Sequence, residues 1–128
     1  MGDHNVTTPD FAALAARAEI QLEIEEEDTP VRGNALASGD DAEDKACEDE
    51  ILARLERGDS WAWCMVKVSA RFDEFEGVSY LGCCSYRDEK EFRQSGDNFD
   101  YMVKEARGEL AKELERAWVK VQFWNADR

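Results

Sequence analysis

The clearest pattern in the chain is alternation. Ala62, Cys64, Val66, Val68, Ala70 and Phe72 recur at every second position, opposite Trp61, Trp63, Met65, Lys67, Ser69 and Arg71, and this predicts a strand over Trp61 to Phe72. Its first half is apolar on both faces. That half needs cover on both sides, from the N-terminal segment, the C-terminal tail or a second copy in a homodimer. Asp73-Glu74-Phe75-Glu76-Gly77 reads as a hairpin connection into a second, antiparallel strand over Val78 to Tyr86. Ile20, Leu22 and Ile24 alternate with Glu19, Gln21, Glu23 and Glu25, which predicts a third strand from Glu19 to Glu26. Ala and Glu favour helix, so one helix through residues 9–26 stays open as the alternative.

The helical period appears elsewhere. Phe99, Met102, Val103, Ala106, Leu110, Leu114, Ala117, Trp118 and Val121 form a stripe over about six turns, predicting a long C-terminal helix laid across the sheet. Cys47, Ile51 and Leu55, supported by Leu52, mark a helix that opens with a capping-box-like Ser38 and Asp41 and stops at Gly58. Shorter helices are expected after Thr8-Pro9, with the Thr8 hydroxyl as cap and Phe11, Leu14, Ala15 and Ala18 as apolar stripe, and around Asp88 to Arg93. Residues 1–7 read as a frayed terminus. The whole predicts one α+β domain over residues 1–128: a small, mainly antiparallel sheet of about three strands against a long C-terminal helix, flanked by an acidic helix.

Charge changes this picture by where it falls. The 128 residues carry a net −14, and Glu19 to Glu50 alone hold 13 acidic residues against Arg32 and Lys45, leaving the rest nearly neutral. A hydrophobic content of 43% is too high for an acidic disordered tail. A concentrated negative field steers basic partners and repels nucleic acid and anionic lipid, so neither direct nucleic-acid binding nor membrane binding is expected. No apolar run approaches the roughly 20 residues of a membrane span, and Met1-Gly2-Asp3-His4-Asn5 lacks the basic and apolar regions of a secretory signal. A cytoplasmic location follows, with Cys47, Cys64, Cys83 and Cys84 as reduced thiols.

Catalytic constellations are missing from the sequence. The cysteines lack zinc-ligand spacing, His4 is the one histidine, and the helix-start carboxylates splay outward instead of converging on magnesium. No enzyme activity, metal or cofactor is expected. Two binding surfaces compete. One is acidic, comprising Glu25, Glu26, Glu27, Asp28, Asp40, Asp41, Glu43, Asp44, Glu48 and Asp49, with Arg32 as a structural counter-ion between the two acidic runs. It would meet a basic, nucleic-acid-binding protein by presenting carboxylates in place of phosphates, although a merely solvated face has the same composition. The other is the strand face Trp61, Trp63, Lys67 and Arg71, where aromatics interleaved with cations could hold a single strand, as in a replication accessory protein.

The stretch Asp28 to Asp41, the segment Glu48-Asp49-Glu50-Ile51, Trp61-Ala62-Trp63, and Tyr80 to Tyr86 through Asp97-Asn98-Phe99-Asp100 resemble a family of small acidic proteins of bacteriophages and prophages. The resemblance covers roughly residues 19–115. It carries over no catalytic or binding residue. What it implies is a setting, a phage accessory protein in the bacterial host cytoplasm, where small acidic inhibitors of restriction or CRISPR machinery act on host defence complexes.

Overall fold

The computed structural model describes residues 7–126. Three alternating segments, β1 (Glu19–Glu26), β2 (Cys64–Phe72) and β3 (Phe75–Cys84), form one antiparallel sheet in the order β1-β2-β3. Four helices accompany it: α1 (Phe11–Ala15), α2 (Asp41–Glu56), α3 (Glu89–Gln94) and α4 (Asn98–Ala126). This is the α+β architecture that the periodicities predict, with the long helix at the C-terminal end.

Register explains which side of the sheet is dry. Ile20, Leu22 and Ile24 of β1 stand opposite Ala70, Val68 and Val66 of β2, and those face Gly77, Ser79 and Leu81 of β3. On this face α4 presents Met102, Ala106, Leu110 and Leu114, all buried, and α1 adds Ala15. Ser79 is the polar exception, and its hydroxyl donates to Glu105 Oε1 at 2.6 Å. Trp61, Tyr86, Phe92 and Phe99 close one end of this layer, Tyr86 edge to face with Trp61 and with Phe92 (centroids 5.0 Å apart), Phe99 edge to face with Phe92, and Trp61 tilted 37° over Phe92.

A second, smaller cluster lies on the other side of the chain. Val31, Ile51, Ala62 and Trp63 are buried together, with Cys47, Leu52 and Leu55 of α2 packed around them. The doubly apolar start of β2 is covered on the Trp63 side by α2 and the loop at Val31, and on the Cys64 and Val66 side by the C-terminal helix α4 together with Phe92, so the C-terminal segment supplies part of the expected cover.

Residues 9–26 are a helix followed by a strand over Glu19–Glu26, as the alternation predicts, and the single-helix alternative falls because Ile20, Leu22 and Ile24 pack on the core from extended backbone. Several local boundaries differ from the sequence reading. Asp10, not Thr8, caps α1 and accepts from Ala13 N at 3.0 Å. Asp40, not Ser38, caps α2, its Oδ1 accepting from Ala42 N and Glu43 N at 3.0 and 3.2 Å. A carboxylate both caps and complements the helix dipole, which a hydroxyl does only in part. Gly58 follows α2 at φ +86 as the expected stop. Residues 60–62 wind into a single 3₁₀ turn, so β2 starts at Cys64. The hairpin turn is only Asp73-Glu74, with Phe72 paired to Phe75 and Asp73 at φ +57. Gly77 is thus a strand residue and not part of the connection. The frayed terminus expected for residues 1–7 falls, Thr7 apart, outside the described residues.

Candidate functional site

The acidic segment divides into carboxylates that hold the fold and carboxylates that do not. Glu48 is buried on α2, and its Oε2 accepts from Gly33 N at 2.9 Å while Oε1 accepts from Arg32 Nη1 at 3.1 Å. Arg32 Nη2 also donates to Asp49 Oδ1 at 2.6 Å, and Lys45 Nζ reaches Asp49 Oδ2 at 3.2 Å. Arg32 sits here because the loop after Pro30 turns back over α2 to bury Val31 in the smaller cluster. The Gly33 amide, then Arg32, hold the Glu48 carboxyl below its ordinary range. Arg32, then Lys45, do the same for Asp49, and the guanidinium is raised in return. Arg32 thus has the geometry of a structural counter-ion.

Glu27 is also consumed locally. β3 carries an extra residue near its end, where Gly82 and Cys83 together oppose Met65 and Cys83 adopts φ +54. Glu27 Oε1 accepts from the freed Cys83 amide at 2.6 Å and Oε2 accepts from Thr29 N at 3.0 Å. These backbone bonds, Cys83 first, lower its pKa. A Cβ on Gly82 would stand 2.9 Å from Glu27 Oε1, so glycine there lets the carboxylate approach. Asp40 is occupied as the α2 cap, and Asp44 Oδ1 accepts from both Ser38 N and Ser38 Oγ at 3.1 and 2.7 Å.

What remains with neither a cation partner nor a bond to the backbone among the described residues is Glu19, Glu23, Glu25, Glu26, Asp28, Asp41, Glu43 and Glu50. Two concavities touch this set. A groove of about 660 Å³ between the 32–37 loop and α2 mixes Asp41 and Asp44 with Arg32 and Lys45, so its field partly cancels. A narrower cleft of about 350 Å³ is different. It is lined by Ile24, Leu55, Ser60, Trp63 and Cys64 together with Glu25 and Glu26, the charged residues along it, which point to opposite faces of β1 so that one carboxylate faces the cleft and the other flanks its rim.

The rival face is taken apart by the fold. Trp61 packs inward with Tyr86 and Phe92, at 6.5 and 5.8 Å between centroids, whereas Trp63 is buried against α2 and donates from Nε1 to Thr29 O at 2.7 Å. The two tryptophans lie on different sides of the chain because Trp61 belongs to the 3₁₀ turn, where strand alternation does not apply. Lys67 and Arg71 do share the outer sheet face, but Glu23 and Tyr80 flank Lys67 while Glu19 and Glu76 flank Arg71. Arg71 Nε donates to Glu76 Oε2 at 2.7 Å, and Lys67 Nζ lies 5.9 Å from the Tyr80 ring centre. A row in which each cation has its own anion or ring offers no phosphate track.

Burial pushes the Cys64 thiol up to about 11 and that of Cys84 up to about 12, so both stay protonated and unreactive at neutral pH. Among the described residues no group of three or more His, Cys, Asp or Glu side chains is arranged to hold a metal ion. None of the described helices is long and apolar enough to cross a membrane. The sequence reading named Glu25 and Glu26 but missed the cleft beside them, whose apolar wall comes, apart from Ile24, from Leu55 of α2 and from Trp63 and Cys64 at the start of β2, far away in sequence. The molecule is an α+β protein whose accessible chemistry is carboxylate. No family model, curated protein or solved structure matches the chain.

Proposed function

We propose that this chain is a non-enzymatic binding protein that inhibits a host nucleic-acid-binding defence complex, of the restriction or CRISPR kind, by presenting carboxylates to its basic groove. The observation that carries this reading is the cleft beside β1, which sets Glu25 and Glu26, neither paired with a cation among the described residues, next to Ile24, Leu55, Trp63 and Cys64. Lys and Arg side chains have that composition in reverse, an aliphatic stem ending in a cation. A nucleic-acid-binding protein displays them in a row. Asp41 and Glu43 at the start of α2, with Asp28 between, extend the anionic surface beyond one side chain. The resemblance to phage proteins supports the host cytoplasm as the setting. Pairing at several sites releases counterions from both surfaces, so binding should weaken steeply with salt.

The test is capture from lysates of bacteria that carry such systems, comparing the wild type with Glu25→Lys/Glu26→Lys/Asp41→Lys/Glu43→Lys. These residues make no ion pair in the fold, so the variant should stay folded. The wild type should retain a basic nucleic-acid-binding complex at low salt and release it at high salt or on adding duplex DNA, and the variant should retain none. Equal capture by both proteins would refute the mechanism.

A further inference from the structure

The 29 residues of α4 span about 43 Å, but the buried stripe ends at Leu114. Beyond it the helix runs out of the sheet with Val119 58%, Val121 52%, Phe123 71% and Trp124 67% exposed. At 100° per residue these four point in different directions, with Lys120, Gln122 and Asn125 interspersed, so the last two turns expose large apolar side chains on more than one side. Exposed apolar side chains clustered in this way mark an interaction surface. Val121 and Trp124 continue the line of Leu110, Leu114 and Ala117, which is the core-facing line of the same helix.

At the root of this bare end lies an apolar groove of about 230 Å³ between α1 and α4, whose wall includes Phe11, Leu14, Phe75, Leu114, Trp118 and Val121. Groove and projecting Trp124 are therefore on one helix, with Trp124 under one turn beyond Val121, the last residue of the groove wall. We propose that the occupant of each groove is the other copy: two copies of this chain pair through the C-terminal ends of α4, antiparallel about a local two-fold axis, each placing Trp124 in the groove of its partner, against the partner's Val121 wall. A two-fold axis makes one surface its own complement, so a molecule carrying both the groove and the side chain that fills it closes as a dimer instead of growing a filament.

Charge selects the same contact. Two chains of net −14 repel wherever their acidic segments approach. Along residues 112–126 Lys112, Arg116 and Lys120 outweigh Glu113 and Glu115, so this is a sector where two copies meet without anion facing anion. The pairing leaves the Glu25–Glu26 cleft uncovered.

Sedimentation equilibrium of the full chain at low and high salt is the test. The expected result is twice the monomer mass, with association tightening as salt rises, because the contact is apolar and the long-range term repulsive. Val121→Glu/Trp124→Glu should be monomeric with an unchanged circular dichroism spectrum. Trp124→Ala, a milder change at an exposed site, should weaken the dimer at least tenfold. A wild type that stays monomeric at every concentration and salt overturns the proposal. So does a dimer that survives the double substitution, or one that dissolves as salt is added, which would mean an acidic segment bound to a basic tail.

Discussion

Gly77 is the point where sheet and long helix come closest, and Gly77→Ala measures that approach. A Cβ built on Gly77 would stand 2.1 Å from Ala106 O, 2.3 Å from Leu110 N and 2.9 Å from Leu110 Cα. All three are backbone atoms of α4, so no side chain can rotate out of the way. Restoring ordinary contact near 3.4 Å requires α4 and β3 to separate by roughly 1.3 Å, and a gap of even 0.5–1 Å forfeits a quarter to a half of each dispersion contact along it. Met102, Ala106, Leu110 and Leu114 all depend on that layer. Insertion of a methyl into a packed core costs about 1–3 kcal/mol and more where backbone must move, so we expect a loss of about 3 kcal/mol. In an open strand the same change would stabilise by about 0.5–1 kcal/mol.

The assay is urea unfolding followed by circular dichroism, with Gly108→Ala as the paired control. With a slope of about 1.5 kcal/mol per molar urea, the Gly77→Ala midpoint should fall by about 2 M. Gly108 lies on the exposed side of α4 with nothing within 4 Å of its added Cβ, so its replacement should raise stability by about 0.8–1 kcal/mol. If Gly77→Ala costs less than about 0.5 kcal/mol, α4 does not sit on β3 as described, and the core assignment fails with it.

Trp63→Phe should cost about 1 kcal/mol, because it removes the bond from Trp63 Nε1 to the half-buried Thr29 carbonyl, and a urea midpoint equal to wild type would contradict that bond. Glu27, Glu48 and Asp49 have lowered pKa values, so the unfolded chain takes up their protons first as pH falls. Their contribution is complete above the ordinary 4.5 of Glu and 3.8 of Asp and disappears as pH drops through the lower folded values. Arg32→Ala should therefore flatten the acid limb of a stability-against-pH curve, and an unchanged limb would show that the guanidinium pairs only in passing. Glu27→Gln keeps an acceptor for one of its two amides but removes the charge, so hydrogen exchange at the Cys83 amide should speed up while the β1–β2 amides stay protected.

The sheet was legible because its signal is local. Ile20, Leu22 and Ile24, and Val66, Val68 and Ala70, alternate within their own segments, and one face buried against α4 is enough to fix extended backbone. Alternation misled only where the chain stops being a strand, at Trp61 in the 3₁₀ turn, and the Trp61–Trp63 face vanished with that one boundary. Gly77 looked like turn punctuation because close approach of a helix leaves no local mark. The role of Glu27 was hidden for a similar reason. It depends on an extra residue 56 positions away, near the end of β3, while the sequence shows only one more acid in an acidic run.

That last case bears on how an acidic segment should be read. Glu27, Asp40, Asp44, Glu48 and Asp49 each bind a backbone amide, a capping partner or Arg32, and in doing so they hold the 27–40 loop against β3 and α2. A surface meant only for solubility has no need of such placement, since scattered charge on mobile loops dissolves a protein equally well. Recognition does need it, because each side chain left mobile must be ordered when the partner arrives, at about 0.5–1.5 kcal/mol apiece. Glu25 and Glu26 stand on a paired strand, and Asp41 and Glu43 on the first turn of a capped helix, so the carboxylates without internal partners are carried by backbone that the others hold in place. The division of labour within the segment, more than its total charge, is what favours a binding surface over a solvated one.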